Sequence, residues 1–215
     1  MSPARLPGRF VVLEGIDGAG TTTQAAALTA ALKERGYRVL TTCEPSDGPI
    51  GSLIRQALVG RLGLPGRRGP LSAGTLALLF AADRVDHLEA EVLPALRRGE
   101  VVICDRYLLS SLAYQGASLP MGWVEQANAR AVAPDLTLFV EVAVKTASKR
   151  RSLRGGEPEL FDADVKQRRI ARQYLAAIRR RARKERIVRV DGSKPVEEVT
   201  RRSLEEILRL LPRPR

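Results

Sequence analysis

Residues 14 to 24 read EGIDGAGTTTQ, a stretch whose residue types suit phosphate. Gly15 and Gly20, followed by the hydroxyl of Thr22, keep the spacing of the glycine-rich loop G-x-x-x-x-G-K-[ST], with one departure: Thr21 stands where the lysine belongs. Such a loop lets the backbone of Gly15, Ile16, Asp17, Gly18, Ala19 and Gly20 wrap an anion with its N–H groups. A helix opening directly after it adds the positive end of its dipole. None of that requires an ammonium. A plain tight turn is the competing reading of these glycines. The successive hydroxyls of Thr21, Thr22 and Thr23 favour phosphate, because they add donors and, at Thr22, an oxygen ligand for Mg2+. Phosphate binding is therefore expected, and phosphoryl transfer is the open question.

Other residues carry chemistry at telling positions. Asp105-Arg106-Tyr107 follows the apolar run VVIC; an acid there can hold Mg2+ or its water, and Arg106 can clamp a monophosphate through two parallel bonds. In LLFAADR, Phe80 and Arg84 are four apart and so share a helix face. An aromatic plane beside a guanidinium suits a flat pyrimidine with carbonyl acceptors. Taken without context, a core phenylalanine beside a surface arginine is the favoured reading. Lys149, Arg150, Arg151 and Arg154 precede the Gly155-Gly156 pair. Without further context they suit a solvated basic face. His87 is the lone histidine, with no acid–base partner apparent in the sequence, and a structural role is expected for it.

The elements that must position these residues alternate between strand and helix. Strands are predicted at 10–13, 38–43, 101–104, 136–140 and 187–190, and helices at 22–35, from Ser72 to about 98, and from 196 to 211. A loop is expected over 60–70. Strands separated by helices of this length predict a parallel sheet, with ligands bound at the carboxyl ends of the strands. Glu14, Glu44, Asp105 and Glu141 all fall at such ends.

Bulk properties narrow the class. At 215 residues the chain reads as one α/β domain, long enough to bury a core without staples. Cys43 and Cys104 lie in or beside apolar runs, which suits a reducing compartment. The start has no apolar leader and no long apolar run follows, so a soluble, cytoplasmic chain with no membrane partner is expected. A formal net charge of +12 favours anionic partners. Aromatic residues make up only 4% and are not interleaved with basic ones, which argues against a stacking platform for nucleic acid. The basic run 179–184 ends a helical pattern, where a solvated face suffices, with nucleic-acid contact as the alternative.

Taken together, RFVVLEGIDGAGTTTQ, TCEPSDGPIGSLIR, LLFAADRVDHLE, VVICDRYLLSSLAYQG and PDLTLFVEVAVKTASKR resemble the thymidylate kinases, in order, and the tail IVRVDGSKPVEEV resembles their adenine-side loop. The resemblance implies a P-loop NTPase three-layer sandwich with a five-stranded parallel sheet and a small mobile lid over about 149–162. It also implies ATP and dTMP as substrates, Mg2+, and a homodimer. By that resemblance Phe80 stacks on the base, Arg84 contacts it, and Ser111 and Gln115 bond the pyrimidine edge. Tyr114 lies near the sugar and disfavours a ribonucleotide, and Asp17 lies near the 3′-hydroxyl. Glu44, Arg55 and Arg106 surround the acceptor phosphate, Thr22 and Asp105 attend the metal, and Arg150 and Arg154 reach the ATP phosphates. Leu109 replaces an acid often found in the family. Loss of the loop lysine could cost on the order of 10³-fold in rate, about 4 kcal/mol, and the lid arginines are expected to cover part of it. The competing expectations are a kinase for another deoxynucleoside monophosphate, and a homologue that binds nucleotide with weak catalysis or none.

Overall fold

The computed structural model describes residues 6–62, 71–153 and 160–212. Five strands form one sheet: β1 (Arg9–Glu14), β2 (Val39–Cys43), β3 (Val101–Asp105), β4 (Leu136–Glu141) and β5 (Ile187–Asp191). Their order is β2-β3-β1-β4-β5 and every pairing is parallel. Helices cover both faces, giving the expected α/β sandwich.

Side chains of β1 alternate between two buried clusters. Phe10 and Val12 join Val102, Cys104, Tyr107 and Tyr174 on one face, while Val11 and Leu13 join Leu28, Leu32, Leu136 and Ile207 on the other. Burial on both faces explains why the strands read as unbroken apolar runs rather than as alternating ones. Each such side chain contributes about 1.5–3 kcal/mol on burial.

Helix α1 (Thr21–Lys33) opens immediately after Gly20, whose φ of 98° closes the glycine-rich loop. Helix α2 (Pro49–Leu58) follows β2, and α3 (Ala73–His87) begins at Ser72, whose Oγ accepts the Thr75 N–H at 3.1 Å. The helix expected from 72 to 98 is not one α-helix. Pro94 has no N–H to continue the ladder, and the chain widens into a π turn over Leu88–Val92 before resuming as α4 (Leu93–Arg97). The remaining α-helices among the described residues are α5 (Leu108–Tyr114), α6 (Met121–Ala127), α7 (Val144–Ser152), α8 (Leu160–Arg181) and α9 (Val196–Leu208). No helix among the described residues is long and apolar enough to cross a membrane.

This topology places Glu14, Asp105 and Glu141 at the carboxyl ends of three adjacent strands, and Glu44 just past β2. With β3 on one side of β1 and β4 on the other, the crevice of such a sheet opens above β1. The glycine-rich loop leaves β1 there.

Candidate active site

The loop is held in shape by conformations that only glycine takes without strain. Gly18 has φ 89°, and a Cβ on it would lie 2.4 Å from the carbonyl oxygen of Ala147. Thr22 Oγ1 donates to Asp105 Oδ2 at 2.5 Å, so the two predicted metal residues meet. Asp105 Oδ1 is buried and takes no hydrogen bond among the described residues. Thr21 is 5% exposed, so the side chain at the lysine position is packed rather than extended into the crevice. Thr23 and Gly20 line a cavity of about 130 Å³ together with Arg150 and Lys194.

Two guanidinium groups from α7 lie against this loop. Arg150 donates to the carbonyls of Ala19 at 3.2 Å and Gly192 at 2.9 Å, and Arg151 donates to that of Asp17 at 2.6 Å. The start of the anticipated lid thus already touches the loop. Arg154 lies outside the described residues.

Beside the loop is a cavity of about 310 Å³. Asp17, Glu44, Phe80, Arg84, Arg106, Ser111, Tyr114 and Gln115 all line it, so the sequence-predicted substrate residues converge with one exception. Arg55 is not among its lining residues. Its guanidinium donates to the carbonyls of Pro45 and Ser46, each at 2.7 Å, and pairs with Asp47, because α2 starts directly after that turn.

At the end nearest the loop, Arg106 donates to Asp17 Oδ1 at 2.8 Å and to the carbonyl of Gly15 at 3.1 Å. Its backbone φ of 71° lies in the left-handed region, a strain of about 1–3 kcal/mol of the kind concentrated at functional sites. The Arg106 N–H donates to Leu13 O at 2.8 Å and helps hold that geometry.

At the far end, Arg84 is 1% exposed and forms an ion pair with Glu44 at 2.5 Å. It also donates to Ser111 Oγ at 3.1 Å and to Asn128 Oδ1, and lies 4.9 Å over the Tyr107 ring. Arg84 Nε and Gln115 Oε1 are buried without a hydrogen-bond partner among the described residues. His87, expected to be structural, has partners that the sequence did not show. Its Nδ1 lies 3.3 Å from Glu44 Oε1 and its Nε2 lies 2.8 Å from Thr42 Oγ1, so the histidine braces the carboxylate that faces the cavity.

Sequence reasoning assigned no role to a supporting group of residues. Glu14 is fully buried and accepts from the N–H groups of Tyr107 and Ser110, from Ser110 Oγ at 2.6 Å and from the Tyr174 hydroxyl at 3.1 Å. Burial raises its carboxyl above the ordinary value, against the lowering effect of these bonds. Gln167 of α8 donates to Asp17 Oδ2 at 2.8 Å, and Asp17 is therefore held from two sides. Burial also pushes the Tyr114 phenol up, and its hydroxyl oxygen accepts from Arg106 at 3.3 Å. The signal for Glu14 was its place at the end of β1; for Gln167 the sequence offers none.

Comparison with known proteins agrees with this geometry. The thymidylate kinase family model matches residues 13–202. A probable thymidylate kinase of Pyrococcus horikoshii is 46% identical over 170 residues, covering 78% of this chain and 82% of that protein. A thymidylate kinase of Leifsonia xyli is 39% identical over 204 residues, covering 92% and 93%, and one of Thermomicrobium roseum is 40% identical over 197 residues, covering 88% and 90%. The chain belongs to the thymidylate kinase family.

Proposed function

We propose that the chain transfers the γ-phosphoryl group of ATP to dTMP, giving ADP and dTDP. The observation that carries this reading is the far end of the larger cavity. There the Arg84 Nε–H donor and the Gln115 Oε1 acceptor are both buried and unpartnered among the described residues. A thymine edge offers a carbonyl to the first and its N3–H to the second, while Phe80 offers a face to the ring. Ser111 continues the polar edge, and Tyr114 on the same wall leaves little room for a 2′-hydroxyl. Asp17 accepts from the 3′-hydroxyl and Arg106 holds the acceptor phosphate. Glu44 keeps Arg84 in place, and Arg55 holds the Pro45–Ser46 turn beside Glu44.

On the donor side the loop amides of residues 15–20, with Thr21, Thr22 and Thr23 behind them, cradle the ATP phosphates. Arg150, aided by Arg154, brings positive charge to the β- and γ-oxygens in place of the lysine. The donor set suits Mg2+: a hydroxyl and a carboxylate, both hard oxygen ligands, with one carboxylate oxygen buried and free of hydrogen bonds among the described residues. Thr22 and Asp105 would hold the ion, which neutralises charge between the phosphates. Transfer then requires chiefly alignment: a dTMP phosphate oxygen bonds to the γ-phosphorus as the bridging β–γ bond breaks.

The homodimer implied by the resemblance is proposed on Leu53, Leu78 and Trp123, which are exposed on α2, α3 and α6. Sedimentation gives the mass. The function itself is tested by ADP release from a panel of monophosphates. Turnover with dTMP above dUMP, dCMP and TMP ribonucleotide is expected; preference for another monophosphate would replace this reading.

A further inference from the structure

The charges lining the larger cavity do not balance as a doubly charged phosphate requires. Arg84 is matched by Glu44 at 2.5 Å, and Arg106 by Asp17 at 2.8 Å. Both arginines are therefore already compensated by carboxylates in the same wall. Among the described residues one further cation lines the cavity: Lys166, on the first turns of α8. It forms no ion pair among the described residues, and its chain neighbour Gln167 is the residue that grips Asp17. The glycine-rich loop meanwhile carries Thr21, 5% exposed, in place of an ammonium.

We infer that Lys166 is a substrate-binding residue whose ammonium supplies the unmatched positive charge for the acceptor phosphate. The inference rests on the reading of this cavity as the dTMP site. Lys166 reaches the phosphate from α8 and donates to its non-bridging oxygens. Such charge-assisted bonds are about twice as strong as neutral ones, and a lysine's flexible stem lets one point charge follow the oxygen. During transfer Lys166 keeps its proton: the acceptor oxygen gains a bond to the γ-phosphorus, the β–γ bridging oxygen leaves with ADP, and the ammonium offsets charge on the acceptor side. The cation lost from the donor loop is thus partly replaced across the transferred group.

The test compares wild type with Lys166→Gln and Lys166→Arg. Steady-state kinetics give KM for dTMP and for ATP, and calorimetry gives Kd for dTMP and for thymidine, which lacks the phosphate. Lys166→Gln is expected to weaken dTMP roughly 10-fold or more, a charged hydrogen bond's usual effect, with thymidine and the ATP KM within about twofold. Lys166→Arg should retain most of the affinity, and higher salt should narrow the gap between wild type and Lys166→Gln. Equal dTMP affinity in Lys166→Gln, or thymidine weakened as much as dTMP, overturns the assignment. An active wild type with an indifferent Lys166→Gln removes only Lys166. A wild type that does not turn over dTMP removes the cavity reading and this inference with it.

Discussion

Replacing Arg84 by methionine tests the architecture of the base end. The side chains of Arg84 and Glu44 are each 2% exposed and lie 2.5 Å apart, so the variant leaves a carboxylate buried without its cation. It also strips a donor from Ser111 and from Asn128. Breaking one side of a buried pair costs about 3–5 kcal/mol. At roughly 2–4 °C per kcal/mol for a domain of this size, Tm should fall by roughly 6–20 °C. Glu44→Gln alone should also be costly, because Arg84 is then buried uncompensated. The double variant removes both charges and should regain much of the loss, since replacing a buried pair by neutral groups is often close to neutral. Urea denaturation of the four proteins completes a double-mutant cycle. A coupling of roughly 2 kcal/mol or more in favour of the pair is expected. Losses that simply add, or a single variant within about 0.5 kcal/mol of wild type, would refute the claim that this pair anchors the site.

Arg150→Ala should raise the KM for ATP roughly 10-fold while leaving that for dTMP within about twofold, as read by steady-state kinetics; an unchanged ATP KM removes Arg150 from the donor site. Thr21→Lys should raise turnover, because it returns an ammonium to the position next to the phosphates; an equal or lower rate at saturating ATP would show that the altered loop has no room or need for it. Burial raises the Glu14 carboxyl, so the folded state holds that proton more tightly than the unfolded chain. The corresponding stability is full below the unfolded value near 4.5 and is lost as pH rises through the folded value. Wild type should therefore lose stability relative to Glu14→Gln as pH rises above the unfolded value near 4.5, measured by urea denaturation; parallel pH profiles would contradict this.

Much of the fold was legible because the strands are apolar on both faces and the glycine and proline signals fall between them. The π turn at Leu88–Val92 was not legible, and one helix was expected to run through Pro94. Within the site, the loop, Asp105-Arg106 and the Phe80–Arg84 pair were visible as local spacing. Asp17 and Arg106 were named separately, but their ion pair spans β1 and β3 and emerges only when the sheet forms. Arg55 was expected at the cavity, yet the turn at Pro45–Ser46 captures its guanidinium, a contact that depends on how α2 leaves β2. His87, Gln167 and Lys166 carry no local motif, and the partners of His87 and Gln167 come from other elements.

The loop without its lysine is the feature on which catalysis turns. Incubating the purified chain with ATP, dTMP and Mg2+ and following the phosphorus resonances by NMR tests it most directly. The account predicts growth of dTDP and ADP signals in equal amounts, dependent on both substrates. Both nucleotides bound with no diphosphate formed would contradict it, leaving a nucleotide-binding protein without transferase activity.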